Sequence, residues 1–348
     1  MSQYISNIKS PKVSIAPMVD RTDRHFRYFT RLLTKKSLLY TEMITAQAII
    51  HGDRNMLLDF DVFERPLALQ IAGCDAKNIG KAVKIAEGWD YDEINLNVGC
   101  PSDRVSGNEM GASLMAYPEL VRDMVKVMKE NTDKPITVKH RIGIDGNGVL
   151  PDNFGRKLLD KYEDLTKFVD IVEEAKVDRF TVHARIAILA GLSPKENREI
   201  PPIRYADVYK LKNDFPHLNI EINGGIKTTK EIKEHLNYVD GVMIGRAAYD
   251  TPFILSEVDK FFDDGEINNI SRREVIEGLI QYLSNLDDNT REYNVLKHAM
   301  GLFYGVRGSK NWRQLITPPW DKEKNAVDVL REALEILPQD VLNMRVQE

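Results

Sequence analysis

Glu93-Ile-Asn-Leu-Asn-Val-Gly-Cys-Pro101 is the stretch around which this chain is organised. Apolar Ile94, Leu96 and Val98 run up to Gly99-Cys100-Pro101, where the pattern stops. That reads as a β-strand ending in a tight turn. A thiol just past a strand tip, held between Gly and Pro, is well placed for chemistry. A lone cysteine is more often a small buried hydrophobe, so the neighbouring segments have to decide. On either side, short β-like runs alternate with amphipathic patterns. The spacing predicts strands at residues 13–17, 38–41, 66–71, 93–98, 136–139, 179–183, 218–223 and 241–244. It predicts helices at 23–33, 76–88, 118–131, 165–175, 206–214 and 228–236. Strands apolar on both faces suit a parallel sheet covered by helices. Eight such units in about 250 residues point to an α/β fold, the (β/α)₈ TIM barrel. An open doubly wound sheet is disfavoured, because the first strand ends in Ala16-Pro17-Met18 rather than in a glycine-rich phosphate loop. Beyond Phe262 the strand signals cease. Asp263-Asp-Gly-Glu266 reads as a linker, and helical patterns follow at 271–286, 290–304 and 321–337. The expected division is a barrel over 1–262 and a small all-α C-terminal domain over 263–348.

Composition bounds the function. With 348 residues, 43% hydrophobic and 29% charged, the chain has ample core for one large and one small domain. Cys74 and Cys100 are its two cysteines, and there is no C-x-x-C pair or His cluster at metal spacing. Neither a disulfide framework nor a metal site is expected, and a reducing cytoplasm is the default. No leader-like apolar segment opens the chain and no run of about 18 apolar residues occurs, so neither secretion nor a membrane span is expected. A net charge of −5 argues against non-specific coating of nucleic acid, while leaving room for a local basic groove. No obligate protein partner is indicated.

Two long loops, 142–163 and 184–204, follow strand ends and so belong on the C-terminal face of the barrel, where this fold places its sites. The strand tips carry Pro17-Met18, Glu42, Gln70, Asn97 to Cys100, Lys139, His183, Asn223-Gly224-Gly225 and Gly245-Arg246. Glycines after the seventh and eighth strands let backbone N–H groups approach a phosphate, and Arg246 can pair it in bidentate fashion. Each residue has a plainer reading: a tight turn for the glycines, a surface lysine, a satisfied core glutamine, a structural histidine. Jointly they offer a phosphate site, an amide for a flat heterocycle, an ammonium for a negative ring and a thiol acid. Those are the needs of flavin mononucleotide (FMN) beside an acceptor carbon that must be protonated.

The sequence resembles the tRNA-dihydrouridine synthases, and within them the A subfamily. The matching stretches are Ala16-Pro-Met-Val-Asp-Arg-Thr-Asp-Arg24, Leu39-Tyr-Thr-Glu-Met43, Leu67-Ala-Leu-Gln-Ile-Ala-Gly73, Asn95-Leu-Asn-Val-Gly-Cys-Pro-Ser102, Val138-Lys139 with Arg141-Ile-Gly-Ile-Asp145, and Thr181-Val-His-Ala-Arg185. Ile222-Asn-Gly-Gly-Ile226 and Gly241-Val-Met-Ile-Gly-Arg246 continue the match, and Gly191-Leu-Ser-Pro-Lys-Glu-Asn-Arg-Glu-Ile-Pro-Pro202 points to the A subfamily. The resemblance implies an FMN-holding barrel, NADPH as reductant, and reduction of the C5=C6 bond of a D-loop uridine, position 20 or 20a, in tRNA. It places Pro17, Met18 and Val19 along the flavin ring and Gln70 and Lys139 at its edge. His183, Asn223, Gly224, Gly225, Gly245 and Arg246 would hold its phosphate end. Cys100 would be the proton donor. Asn97, Lys195, Arg198, Lys310 and Arg313 would face the tRNA.

Elementary chemistry agrees with that assignment. Hydride added at uracil C6 leaves an enolate that must be protonated at C5. A thiol with an ordinary pKa of about 8.5 is mostly protonated at neutral pH and can serve as that acid. Between Glu292 and Asp321 there is no acidic residue, whereas Lys297, Arg307, Lys310 and Arg313 occur there with Tyr304 and Trp312. Basic residues interleaved with aromatics suit RNA phosphates and exposed bases. There are departures from the subfamily: Ile186, Ile188 and Ala190 stand where basic and aromatic residues are usual, Lys310 stands where Arg is common, and the 146–163 loop is longer. A small-molecule FMN barrel enzyme of the dihydroorotate or dihydropyrimidine type is the rival, opposed by the helical tail and the 191–202 loop. A tRNA-binding or chaperone-like protein without catalysis is a second rival, opposed by Gln70, Cys100, Lys139 and His183.

Overall fold

The structure, a computed structural model, describes residues 8–101, 110–286, 290–321 and 323–346; Ser102, quoted above, lies outside them. Eight strands form one parallel sheet: β1 (Val13–Ile15), β2 (Leu39–Thr45), β3 (Leu67–Ala72), β4 (Glu93–Val98), β5 (Ile136–Arg141), β6 (Arg179–His183), β7 (Ile220–Asn223) and β8 (Gly241–Ile244). They pair in the order β1-β8-β7-β6-β5-β4-β3-β2. The sheet closes on itself, since Ser14 bridges Leu38 and the Ile15 N–H donates to the Leu38 carbonyl at 2.9 Å. The fold is thus the expected (β/α)₈ barrel. Helices such as Ala76–Ala86, Pro118–Glu130 and Tyr162–Glu173 cover it, each starting where a cap or an N1 proline satisfies the first turn.

The strands differ from expectation in one informative respect. β4, β5 and β6 are apolar on the outer face only. Ile94, Leu96 and Val98 of β4 join the main core with helix residues such as Ile79, Val83, Val121 and Val125. The alternate residues point into the barrel and are polar: Glu93, Asn95 and Asn97 on β4, Thr137, Lys139 and Arg141 on β5, and Arg179, Thr181 and His183 on β6. The apolar cluster set apart from the main core is small: Ala16, Leu38, Tyr40, Ala68 and Met243. Hydrogen bonds hold the floor instead. Arg179 Nη2 donates to both Glu93 carboxylate oxygens at 2.7 Å, and Arg179 Nε lies 3.7 Å from Glu221. Glu221 accepts from Ser14 Oγ at 2.5 Å and Thr181 Oγ1 at 2.6 Å. Burial alone would weaken the Arg179 charge, but Glu93, Tyr40 and Glu221 outweigh it and hold the guanidinium firmly protonated.

The chain beyond Phe262 is helical, with different boundaries from those expected. Helix Arg272–Ser284 carries a full capping box at Ser271 and Glu274. The long helix expected at 290–304 is instead a short turn, Tyr293–Leu296, continued by a 3₁₀ turn, Lys297–Ala299. Gly305 and Gly308 behind it take φ of +74° and +93°, which an uninterrupted helix does not accommodate. A separate helix, Ser309–Ile316, follows, and the last long one begins only at Ala326, where Asn325 and Asp328 form a capping box. Helix Arg272–Ser284 and the turns at 293–299 pack on the first barrel helix, Arg24–Leu33, while the last long helix packs on Arg272–Ser284 and on Ser309–Ile316. Gly278 allows the approach, since a Cβ there would sit 2.8 Å from Leu32 Cδ2. Tyr28 and Tyr282 stack with centroids 3.9 Å apart, and buried His298 pairs with Asp23 at 2.9 Å. One apolar core is continuous across both parts of the chain. Among the described residues no helix is long and apolar enough to cross a membrane.

The floor of the barrel yields a stability prediction. Arg179→Met leaves Glu93 and Glu221 buried without their cation, an uncompensated charge that typically costs about 3–5 kcal/mol. Urea unfolding of the variant should show a lower midpoint with an unchanged slope.

Candidate active site

The tips of β3 to β8 converge at the C-terminal mouth. β3 runs one residue further than expected, to Ala72, and β5 two, to Arg141, while β2 runs to Thr45 with a register irregularity between Tyr40 and Met43. Gln70 and Lys139 therefore lie inside the barrel below its rim, not at the strand ends. Gln70 and Asn97 are linked, the Asn97 amide donating to Gln70 Oε1 at 2.8 Å. Asn97 Oδ1 in turn accepts the backbone N–H groups of Gly99 and Cys100, at 3.1 and 3.0 Å. This side-chain turn fixes Cys100, a half-buried thiol, immediately past β4.

Lys139 Nζ donates to Asn223 Oδ1 at 3.1 Å, bringing β5 and β7 together over the floor. Burial, then the nearby Arg141 charge, pulls the Lys139 ammonium down to about 8, against the pull of Glu221 and Cys100. His183 is buried, and burial together with Arg141, Lys139, Arg185 and Arg198 drives its pKa well below the usual imidazole range, so the ring is neutral. Gly224 and Gly225 take φ of +121° and +75°. A Cβ on Gly224 would lie 3.4 Å from the His183 ring, and one on Gly225 only 2.5 Å from Ile203 Cδ1. Gly245 faces Met18 Sδ, 3.9 Å from where its Cβ would be, so the β1 and β8 tips are neighbours. Pro17 and Met18 are half-buried and Val19 is exposed. Arg246 opens the short helix Arg246–Asp250 and donates to Glu199 at 2.7 Å and to the Arg198 carbonyl at 3.3 Å.

Two arginines that sequence reasoning quoted but gave no role complete the mouth. Arg141 is buried and donates to the carbonyls of Gly99 at 3.0 Å, Ile186 at 3.1 Å and Asn197 at 3.0 Å. It ties the Cys100 turn to the 184–204 loop. Burial lowers its pKa to about 10, which leaves it charged. Arg185 donates through Nε to the Pro201 carbonyl at 2.8 Å, while its buried Nη1 has no protein partner. The signal for both was the strand period of two. Lys139 and Arg141 share a face of β5, and Arg185 continues the face of His183 beyond β6.

The tRNA-facing candidates separate into two groups. Arg198 ends the 3₁₀ turn Glu196–Arg198 and is within electrostatic reach of Cys100, Arg21 and Arg246, whereas Lys195 is exposed beside it. Asn197 anchors this loop, its carboxamide bonding the Ile188 N–H at 2.8 Å and the Ile188 carbonyl at 2.9 Å. Lys310 and Arg313 lie elsewhere, both exposed on helix Ser309–Ile316. Trp312 between them is not an RNA platform. It is fully buried against Phe303, and its Nε1 donates to the Ala299 carbonyl. Tyr304 is the exposed aromatic, at 66% of its free surface. A cavity of about 600 Å³ opens at the opposite end of the barrel, lined by residues such as Lys12, Leu38, Pro66 and Pro135, and takes no part in this arrangement. Among the described residues no group of His, Cys, Asp or Glu is placed to hold a metal ion.

A family model described as dihydrouridine synthase matches residues 14–337. The chain belongs to this family. A protein of Synechocystis sp. named tRNA-dihydrouridine(20/20a) synthase is 48% identical over 338 residues, covering 96% of this chain and 97% of that one. One of the same name from Vibrio vulnificus is 47% identical over 334 residues, covering 95% and 98%. Among solved structures, an old yellow enzyme homologue from Zymomonas mobilis aligns with a TM-score of 0.51 at 9% identity, over 77% of this chain and 94% of that one. That likeness is one of fold. The family match places the Cys100 turn and the glycine cradle within the aligned region.

The lysine in the mouth gives a pH prediction for the ligand-free protein. The folded state holds the Lys139 proton less tightly than the unfolded chain, about 8 against 10.5. Stability should therefore rise as pH climbs from about 8 towards 10.5, because there the unfolded state binds the extra proton. Urea melts at stepped pH should show that rise in the wild type and lose it in Lys139→Met.

Proposed function

We propose that this chain reduces the C5=C6 bond of a D-loop uridine in tRNA, at position 20 or 20a, with FMN as its resident flavin and NADPH as reductant. The observation that carries the reading is the Cys100 turn, held by Asn97 beside Gln70 and within electrostatic reach of Lys139, Arg141 and Arg198. The names of the 47–48% identical relatives support the tRNA substrate and the position. The residues present fit a flavin phosphate. Gly224 and Gly225 hold positive φ that other residues rarely adopt, which keeps the backbone there free of side chains, and Arg185 Nη1 and His183 Nδ1 are buried polar atoms in want of a partner.

In this reading Arg185, Arg246, Asn223, Gly224, Gly225 and Gly245 hold the ribityl phosphate end, with neutral His183 beside it. Pro17, Met18 and Val19 would line one side of the ring, and Gln70 and Lys139 would meet its edge. Bound FMN would supply hydride chemistry at uracil C6, with NADPH as the reductant. The chain's own part is the proton. The Cys100 S–H bond breaks as the C5–H bond forms, so the enolate electrons end in the new bond and the thiol leaves as thiolate. Lys139, Arg141 and Arg198 lie within electrostatic reach of that sulfur, and solvent returns the proton. The uridine has to leave its stack to reach the mouth. Asn97, Lys195 and Arg198 meet the extruded nucleotide and its neighbours. We assign residues 263–348 the grip on the rest of the tRNA, through Lys310 and Arg313.

Cys100→Ala should stay yellow and should still be bleached by NADPH, yet make no dihydrouridine when tRNA is analysed by nucleoside mass spectrometry. Full product from that variant would end the acid assignment. The double change Lys310→Glu with Arg313→Glu should weaken tRNA binding by an order of magnitude or more at low salt, about two phosphate contacts' worth, and leave flavin reduction intact. Filter binding across a salt series measures both the loss and a shallower salt slope.

A further inference from the structure

The inward polar residues of β3, β4 and β5 form one directed chain of hydrogen bonds from the barrel floor to the Cys100 turn. Thr137 Oγ1 donates to Glu93 Oε1 at 2.5 Å. Asn95 Nδ2 donates to Thr137 Oγ1, and Gln70 Nε2 to Asn95 Oδ1, each at 2.8 Å. Asn97 Nδ2 donates to Gln70 Oε1 at 2.8 Å, and Asn97 Oδ1 takes the N–H of Cys100 at 3.0 Å. Thr137 and Asn95 are fully buried, and Gln70 and Asn97 nearly so.

The direction of the chain follows from its lower end. A carboxylate only accepts, so Thr137 must spend its single O–H on Glu93 and can only accept from Asn95. That fixes which end of the Asn95 amide faces Gln70, hence the Gln70 amide, hence the Asn97 amide. Turning any one of them over would set two NH₂ groups, or two oxygens, face to face in a buried site, at the cost of leaving them unsatisfied. Arg179 holds Glu93 in place and is itself pinned at the floor. The result at the upper end is an oxygen, not an NH₂, beneath the Cys100 backbone.

We propose that Thr137 and Asn95 are positioning residues for the reaction. Neither is in the mouth, and each acts through Gln70 and Asn97 by transmitting the acceptor-only character of buried Glu93 to the turn that holds the thiol. This rests on Cys100 being the acid, as argued above.

The test uses the FMN-loaded enzyme in a Cys74→Ser background, with Thr137→Val and Thr137→Ser compared with the unaltered position. Two rates are read: alkylation of Cys100 by iodoacetamide, followed by peptide mass and needing neither NADPH nor tRNA, and recovery of flavin colour when tRNA is added after NADPH. Thr137→Val should change the alkylation rate several-fold and slow the tRNA-dependent recovery about tenfold, the size of one lost hydrogen bond, while bleaching by NADPH stays as it was. Thr137→Ser, which keeps the hydroxyl, should restore both rates. Tyr40→Phe removes a different bond to Glu93 Oε1, one of 2.9 Å, and should leave both rates unchanged. The proposal is overturned if Thr137→Val matches the unaltered enzyme in both rates, if Thr137→Ser fails to rescue, or if Tyr40→Phe slows recovery as much as Thr137→Val. Should Thr137→Val not fold, Thr137→Cys, a weaker donor and acceptor, takes its place, with slower recovery expected and an unaltered recovery rate overturning the proposal. If the unaltered enzyme shows no recovery with tRNA, the functional reading fails, and the alkylation comparison alone still decides the hydrogen-bonded chain.

Discussion

Everything in the barrel depends on a charged group that an ordinary barrel interior would not contain. Arg179 sits at the floor between Glu93 and Glu221, with Tyr40, Thr137, Ser14 and Thr181 completing the bonds. Such a centre is a poor source of stability, because desolvation of the ions offsets much of their attraction. Its value is geometric. Apolar packing tolerates small shifts and rotations, whereas a matched set of buried donors and acceptors accepts very few arrangements. Strands whose inner faces are locked in that way present their upper residues at fixed heights, and the mouth inherits that order.

The mouth itself is built on mutually repelling cations. Burial first and like charges second pull their pKa values down: Arg141 acts on Lys139, Arg198 and Arg185 act on Arg141, and Arg246 acts on Arg185 and Arg198. A site assembled at that expense is primed for anions, and both ligands of the proposed reaction carry phosphates. Arg141 is the exception in role. Its donors go to three backbone carbonyls, so it works as a clamp between the thiol turn and the loop carrying Asn197 and Arg198.

The eight strands, the helices between them and the identity of most mouth residues were readable because outward apolar residues and strand tips leave a plain pattern in the chain. What could not be read followed from what pattern does not encode. The strands were expected to be apolar on both faces, so the polar inner faces of β4, β5 and β6 came only with the structure, and nothing local says that Glu93 and Arg179 pair across the barrel. Arg141 and Arg185 were visible as letters, but their roles come from how far β5 runs and from carbonyls contributed by another loop. Trp312 looked like a stacking platform because it stands between cations, and only packing on Phe303 shows that it belongs to the core. The helix boundaries after residue 284 were lost to glycines with positive φ and to the Asn325 cap, features that override propensity over a few residues.

The small three-stranded sheet over the mouth has a consequence of its own. Ile144–Asp145 pairs antiparallel with Leu158–Leu159 and parallel with Ala187–Ile188. The ends of the intervening 146–157 segment are therefore already stapled together, and the Gly146 N–H bonds the Lys157 carbonyl at 2.9 Å. Closing a loop whose ends are fixed costs an entropy that grows only with the logarithm of its length, about 0.6 kcal/mol per doubling. Extra residues inserted there reach neither β5 nor the Cys100 turn. That hairpin is a place where the rim can be extended at little entropic cost, provided that Leu150, buried in the main core, and Phe154, packed on Tyr117, stay where they are.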